Sequence, residues 1–290
     1  MNYTEIPVQV EGSLPGASLK VYIQDYSADM HIQERPMILI CPGGGYEHIS
    51  VREGESIALS FMAMGLHAAV LRYSVAPAKY PVQITELAFA MKYIRSHAKE
   101  WHIIEDKIFV QGSSAGGHLA ASLGVFWKKE WLWKCVGAES AEEIRPNGMI
   151  LSYPVITSGE YAHRGSFDNL LGKSGGEKAE KTGAEKTCSD TTQAEEVLLE
   201  KLSLEKQVTA DTPPAFIWHT FTDDTVPVEN ALFFVSALRK YNIPTEFHMY
   251  VKGVHGLALA TEQTASAGGS HMQPECASWT ELAHTWLTSV

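Results

Sequence analysis

Lys107-Ile108-Phe109-Val110, then Gln111, then Gly112-Ser113-Ser114-Ala115-Gly116, then Gly117-His118-Leu119-Ala120-Ala121: a short apolar run, a glycine-flanked serine and a helix-like stretch follow one another directly. Strand, tight turn and helix in this order hold a serine exposed at the crest of a sharp turn. The flanking glycines have a steric reason, since the two backbones approach closely there and side chains would collide. Ser114 is therefore the candidate nucleophile. Ser113 does not fit, because Gln111 and Ala115 would stand where glycines are required. The plain alternative for Ser114 is a helix-capping serine.

Working outward, Leu19-Lys20-Val21-Tyr22-Ile23 alternates like an edge strand, and Pro36-Met37-Ile38-Leu39-Ile40-Cys41 reads as a central strand ended by Pro42 and three glycines. His67 to Tyr73 is another strand, and from Ile84 the apolar positions Leu87, Ala88, Met91 and Ile94 recur at helical spacing. Met149 to Tyr153, Ala215 to Trp218 and Glu246 to Val251 supply three more strands, with a helix carrying Ala231, Phe234, Val235 and Leu238 between the last two. Strands without alternation that take turns with helices imply a mostly parallel sheet covered on both faces. The expected fold class is a three-layer α/β arrangement, one domain over residues 1–290. Gly172 to Glu196 is rich in Gly, Lys, Glu, Ser and Thr, so a solvated insertion or cap is expected within 157–200.

The chain has 290 residues, 45% hydrophobic and 20% charged, with a formal net charge of −11. That balance supports a buried core and disfavours nucleic acid or an anionic membrane as partner, since both require clustered Lys and Arg. No stretch approaches the roughly 20 apolar residues of a membrane span, and Met1 to Pro7 has no secretory pattern, so a cytoplasmic protein is expected. Cys41, Cys135, Cys188 and Cys276 are scattered and read as structural thiols. Among 12 histidines no pair has H-E-x-x-H spacing or a cysteine partner nearby, so no catalytic metal is expected.

A serine needs a base to take its proton, and the base needs an acid to fix its tautomer. Asp223 lies in the loop after the strand Ala215 to Trp218, and His255 lies in Lys252-Gly253-Val254-His255-Gly256 after the next strand. Loops at the carboxyl ends of parallel strands gather on one edge, where sites form in open α/β folds. Asp224 competes with Asp223 for the acid, and His219 competes with His255 for the base. Pro42-Gly43-Gly44-Gly45-Tyr46 offers backbone N–H groups unshielded by side chains. Gly44 and Gly45, with the N–H of Ala115, are the candidate oxyanion hole.

These motifs carry a resemblance. Pro42 to Tyr46, Gly112 to Leu119, Asp223 to Pro227 and Gly253 to Gly256 look like an α/β-hydrolase of the hormone-sensitive-lipase-like branch, and are similar to bacterial carboxylesterases of the acetyl xylan esterase type. The resemblance runs from about Met37 to the C-terminus, and departs where Pro42 replaces the His with which many relatives begin the oxyanion motif. It favours Asp223, four residues before Pro227, over Asp224. It implies hydrolysis of short acyl esters, including acetylated carbohydrates, without cofactor or metal.

Substrate selection falls to the remaining loops. Tyr46, His163 and Arg164 are candidates to hydrogen-bond a hydroxylated substrate, and Trp218 or Trp279 to stack on a sugar. The alternative makes the aromatics core and pairs Arg164 with a surface acid. Phe126, Trp127, Trp131 and Trp133 admit a partner surface, such as that of a homo-oligomer. A peptidase on the same fold and a non-catalytic receptor are the rival functions.

Overall fold

The computed structural model describes residues 1–173 and 190–290. Its strands are β1 (Asn2–Pro7), β2 (Ser18–Ile23), β3 (Arg35–Cys41), β4 (His67–Arg72), β5 (Ile103–Ser113), β6 (Gly148–Ser152), β7 (Ala215–Thr220) and β8 (Thr245–Tyr250). Its helices are α1 (Glu55–Ala63), α2 (Val82–Ser96), α3 (Ala115–Phe126), α4 (Glu130–Cys135), α5 (Arg164–Leu171), α6 (Asp190–Leu202), α7 (Glu229–Lys240), α8 (Pro274–Ala277) and α9 (Trp279–Ser289). The strands form one sheet in the order β1-β2-β4-β3-β5-β6-β7-β8. β2 runs antiparallel to both its neighbours, and every other adjacent pair is parallel.

Central strands bury both faces, which is why they read as continuous apolar runs. In β3, Met37, Leu39 and Cys41 face the layer of α2, α3 and α7, whereas Ile38 and Ile40 face α1 and α9. β7 divides likewise, with Ala215 and Ile217 on the first side and Phe216 and Trp218 on the second. The expected three-layer α/β fold is the one observed.

β2 is not an edge strand: β1 covers it, pairing from Asn2↔Ile23 to Pro7↔Ser18. β1 escapes sequence reading because only Ile6 is partly buried, so it carries no apolar pattern. Of the segment 157–200, residues 174–189 lie outside the described residues, as does Cys188. Within it, Phe167 and Leu170 are buried in the core with Leu198 and Leu199 packed against it. Among the described residues no helix is long and apolar enough to cross a membrane.

The parallel strands deliver the candidate residues to one edge of the sheet. The glycine loop follows β3, Ser114 follows β5, Asp223 follows β7 and His255 follows β8. This is the carboxyl edge, where ligands bind in open α/β sheets.

Candidate active site

Ser114 sits between β5 and α3 with φ 55 and ψ −119, a backbone region costing a non-glycine residue about 1–3 kcal/mol. A Cβ on Gly116 would lie 2.0 Å from the Cys41 carbonyl, and one on Gly112 would lie 2.1 Å from the Gly116 carbonyl. The glycines permit that approach. Ser114 occupies the N-cap position of α3 but makes no side-chain capping bond. Its hydroxyl instead meets His255 Nε2 at 2.7 Å.

His255 Nδ1 lies 2.7 Å from Asp223 Oδ2. A carboxylate only accepts, so Nδ1 carries the proton and Nε2 presents its lone pair to the Ser114 hydroxyl. The other Asp223 oxygen accepts the N–H groups of Thr225 and Val226 at 3.0 and 2.9 Å. Burial alone would raise the Asp223 pKa, but hydrogen bonds from His219 and His255 and the charge of His255 outweigh it, holding the carboxyl well below its usual range. Asp224 is exposed and accepts from Thr225 Oγ1. The Tyr153 and His255 rings meet edge to face with centroids 5.1 Å apart, which limits the imidazole's swing.

Facing this chain of bonds, Gly44, Gly45 and Tyr46 have φ of 122, 63 and 58, a left-handed turn that glycine tolerates at the first two positions. His48 N–H donates back to the Gly44 carbonyl at 3.1 Å, and Asn169 Nδ2 holds the Gly45 carbonyl at 2.8 Å. Among the described residues the Gly44 and Gly45 N–H groups donate to no acceptor. Ala115 begins α3, so its N–H has no partner within the helix and stands at the positive end of the helix dipole. A cavity of about 310 Å³ opens here, walled by Gly44, Gly45, His48, Ser114, His163 and His255.

The BD-FAE family model matches residues 23–238. The chain belongs to the BD-FAE family. Its relatives include Endo-1,4-beta-xylanase B of Butyrivibrio fibrisolvens, 37% identical over 86% of this chain and 37% of that protein. Another is the acetylxylan esterase of Xylanibacter ruminicola, 28% identical over 76% of this chain and 40% of that protein. The chain thus spans about two fifths of the length of these curated relatives. Among solved structures it resembles the acetyl ester-xyloside bifunctional hydrolase of Caldicellulosiruptor lactoaceticus, with TM-score 0.77, 32% identity, and 99% and 96% of the two chains covered. A carboxylesterase of Lactobacillus plantarum aligns with TM-score 0.78, 26% identity, and coverage of 100% and 98%. The chain thus shares the α/β-hydrolase fold of these structures.

Within this BD-FAE member, not every expected substrate contact reaches the cavity. His163 does, held by a 2.8 Å bond between its Nδ1 and Ser166 Oγ. Its pKa is lowered, by burial first and by repulsion from His255 second. Tyr46 does not: it is 2% exposed, and its hydroxyl is spent on His118 Nδ1 at 2.9 Å. Its positive φ turns the ring into the core, away from the loop's open side. Arg164 is also withdrawn, since its guanidinium caps the Ser158 and Gly159 carbonyls at 2.8 Å each. Trp218 and Trp279 are fully buried and stack on each other at 5.4 Å, leaving neither face for a sugar. Phe126 and Trp127 are buried too, so the aromatic cluster is largely core, with Lys201 lying 4.9 Å over the Trp131 ring.

The cavity is also lined by Glu47, Arg52 and Glu53, which no motif in the sequence marks. Their signal is weak: a polar run between two apolar strands ordinarily marks solvent. Only the burial of Glu53, 3% exposed, sets it apart.

Proposed function

We propose that this chain is a serine carboxylesterase that removes short acyl groups, acetyl foremost, from hydroxylated substrates such as acetylated xylo-oligosaccharides. One observation carries the reading: two 2.7 Å bonds link Asp223 to His255 and His255 to Ser114, opposite unengaged N–H donors. His255 Nε2 takes the hydroxyl proton as Ser114 Oγ bonds to the ester carbonyl carbon. The carbonyl oxygen, now negative, is received by the N–H groups of Gly44, Gly45 and Ala115. Collapse breaks the bond to the alcohol, which leaves with the proton from His255. Water, deprotonated by the same imidazole, then releases the acid from the acyl-serine.

Asp223 stays ionised and stabilises the imidazolium, consistent with its lowered pKa. Preference for a hydroxylated leaving group is supported by the imidazoles of His48 and His163 on the cavity wall and by the names of the acetylxylan-active relatives.

Hydrolysis of p-nitrophenyl acetate, butyrate and octanoate and of acetylated xylo-oligosaccharides by wild type and Ser114→Ala tests the reading. Acetate and acetyl-sugar activity that disappears in the variant is expected. Activity surviving Ser114→Ala would overturn the serine mechanism, and a wild type inert toward every ester would favour a peptidase or a receptor.

A further inference from the structure

Two adjacent residues of the 3-10 turn Val51–Glu53 hold both loops that face the cavity. Glu53 Oε2 accepts the Gly43 N–H at 2.9 Å, at the root of the glycine loop, and Oε1 accepts the Tyr153 hydroxyl at 2.6 Å. That hydroxyl accepts the Ala258 N–H at 2.9 Å, in the loop carrying His255, while the Tyr153 ring packs on the imidazole itself. Arg52 donates from Nε to the Thr264 carbonyl at 2.6 Å and from a terminal nitrogen to the Gly256 carbonyl at 2.9 Å. Ser50 N–H closes the turn on the Gly43 carbonyl at 2.9 Å.

Both loops need holding. Besides Gly44, Gly45 and Tyr46, the histidine loop has positive φ at Gly256, Ala258 and Ala260. Such conformations persist only where the surroundings over-determine them. A buried carboxylate is an expensive way to fill space, but as an ionised acceptor it makes stronger, shorter bonds than a neutral one.

We propose that Arg52 and Glu53 form a positioning clamp that fixes the oxyanion loop relative to His255, with the Glu53–Tyr153 bond at its centre. The inference rests on the esterase reading above. Glu53 acts through the groups it holds: without it the oxyanion donors and the imidazole no longer meet one tetrahedral centre in register.

The test measures kcat and KM on p-nitrophenyl acetate, affinity for a short alkyl boronic acid that bonds to the serine oxygen, and melting temperature, for Glu53→Gln and Tyr153→Phe. A carboxamide has one acceptor oxygen, so its NH₂ must face either the Gly43 N–H or the Tyr153 hydroxyl. Glu53→Gln should lower kcat about 100-fold with KM within about threefold, as expected for misplaced catalytic groups. Boronate affinity should fall in step with kcat/KM. Tyr153→Phe keeps the ring and should lose a similar factor, and the double variant should be no worse than the poorer single one.

Wild-type kcat in both folded variants, or a KM increase with kcat unchanged, would overturn the clamp. If Glu53→Gln does not fold, Tyr153→Phe decides by the same criteria. A wild type inert toward esters overturns the esterase reading and the clamp together, whereas an active wild type with unaffected variants overturns the clamp alone.

Discussion

His219 and His255 converge on one oxygen: Asp223 Oδ2 lies 3.3 Å from His219 Nε2 and 2.7 Å from His255 Nδ1. The shorter contact of His219 Nε2 is the Val226 carbonyl at 2.9 Å, and its Nδ1 has no partner among the described residues. Through Nε2, His219, fully buried at the end of β7, donates to the acid loop and pins it. His255 is 17% exposed at its side chain and bonds the serine. The two imidazoles separate by role: one braces the acid, the other moves protons. Asp223→Asn should lower esterase kcat about 10⁴-fold by favouring the wrong imidazole tautomer. His219→Gln, which keeps a donor, should lower kcat less than about tenfold while lowering the melting temperature, the usual outcome of weakening a buried network. A larger kcat loss in the second variant than in the first would reverse the assignment.

The same carboxylate sets an acid limit. Its folded pKa lies below the unfolded value of about 3.9, so its contribution to stability is fully present at neutral pH. That contribution is lost as pH falls below the unfolded value toward the folded one. Urea titrations at pH 6 and pH 3 should therefore show Asp223→Asn losing less stability on acidification than wild type.

Two glycines of α3 differ in what surrounds them. A Cβ on Gly116 would sit 2.0 Å from the Cys41 carbonyl and 2.4 Å from the Pro42 carbonyl, both main-chain atoms of the strand end that leads into the oxyanion loop. On Gly124 it would meet Met149 Sδ at 2.1 Å, part of a side chain with three rotatable bonds. Gly116→Ala should cost about 3 kcal/mol through overpacking and abolish esterase activity. Gly124→Ala recovers about 1 kcal/mol of helix propensity against the Met149 rearrangement, and should stay within about 1 kcal/mol of wild type with activity kept. Urea unfolding of both, with kcat, checks the contrast.

Glu86 is fully buried and accepts from Ser13 Oγ, Ser74 Oγ and Ser74 N–H at 2.7, 2.5 and 2.6 Å. Burial raises its pKa more than these bonds lower it. A carboxyl with a raised folded pKa binds its proton more tightly when folded, so its contribution to stability declines as pH rises from the unfolded value, about 4.3, through the folded one. Glu86→Gln cannot ionise. Its melting temperature relative to wild type should therefore be higher at pH 7 than at pH 4, and a difference independent of pH would contradict the direction of the shift.

Some of this was legible in the residues and some was not, for physical reasons. Strands buried on both faces announce themselves as apolar runs, and a serine between glycines after such a run requires a sharp turn, so the sheet centre and Ser114 are written locally. Parallel strands send the loops carrying Asp223 and His255 to one edge, whereas the choice of Asp223 over Asp224 rests on the family resemblance. Direction is not written locally. Trp218 shares its face with Phe216 by the two-residue period of a strand, but only the placement of α9 shows that this face is closed. Tyr46 follows the glycine turn, and its inward aim depends on a positive φ that its residue type disfavours. Glu53 and Tyr153 are 100 residues apart, and no local pattern links them.

Tyr46 gives a test that separates packing from substrate contact. Its hydroxyl donates to His118 Nδ1 at 2.9 Å, while His118 Nε2 donates to the Leu202 carbonyl at 3.0 Å, so the imidazole is neutral with both nitrogens engaged. Burial pushes the His118 pKa down to about 4. A histidine kept neutral in the fold loses its stabilising contribution as pH falls from its unfolded value, about 6.5, toward 4, because the unfolded chain takes up the proton first. Tyr46→Phe preserves the ring and strands the Nδ1 lone pair in the core, at a cost of about 1–3 kcal/mol at pH 7.5. KM for p-nitrophenyl acetate and for acetylated xylo-oligosaccharides should stay within about twofold, since the hydroxyl reaches no substrate. A selective KM rise for the acetylated sugar at unchanged stability would return Tyr46 to the binding site and show that the loop opens in solution.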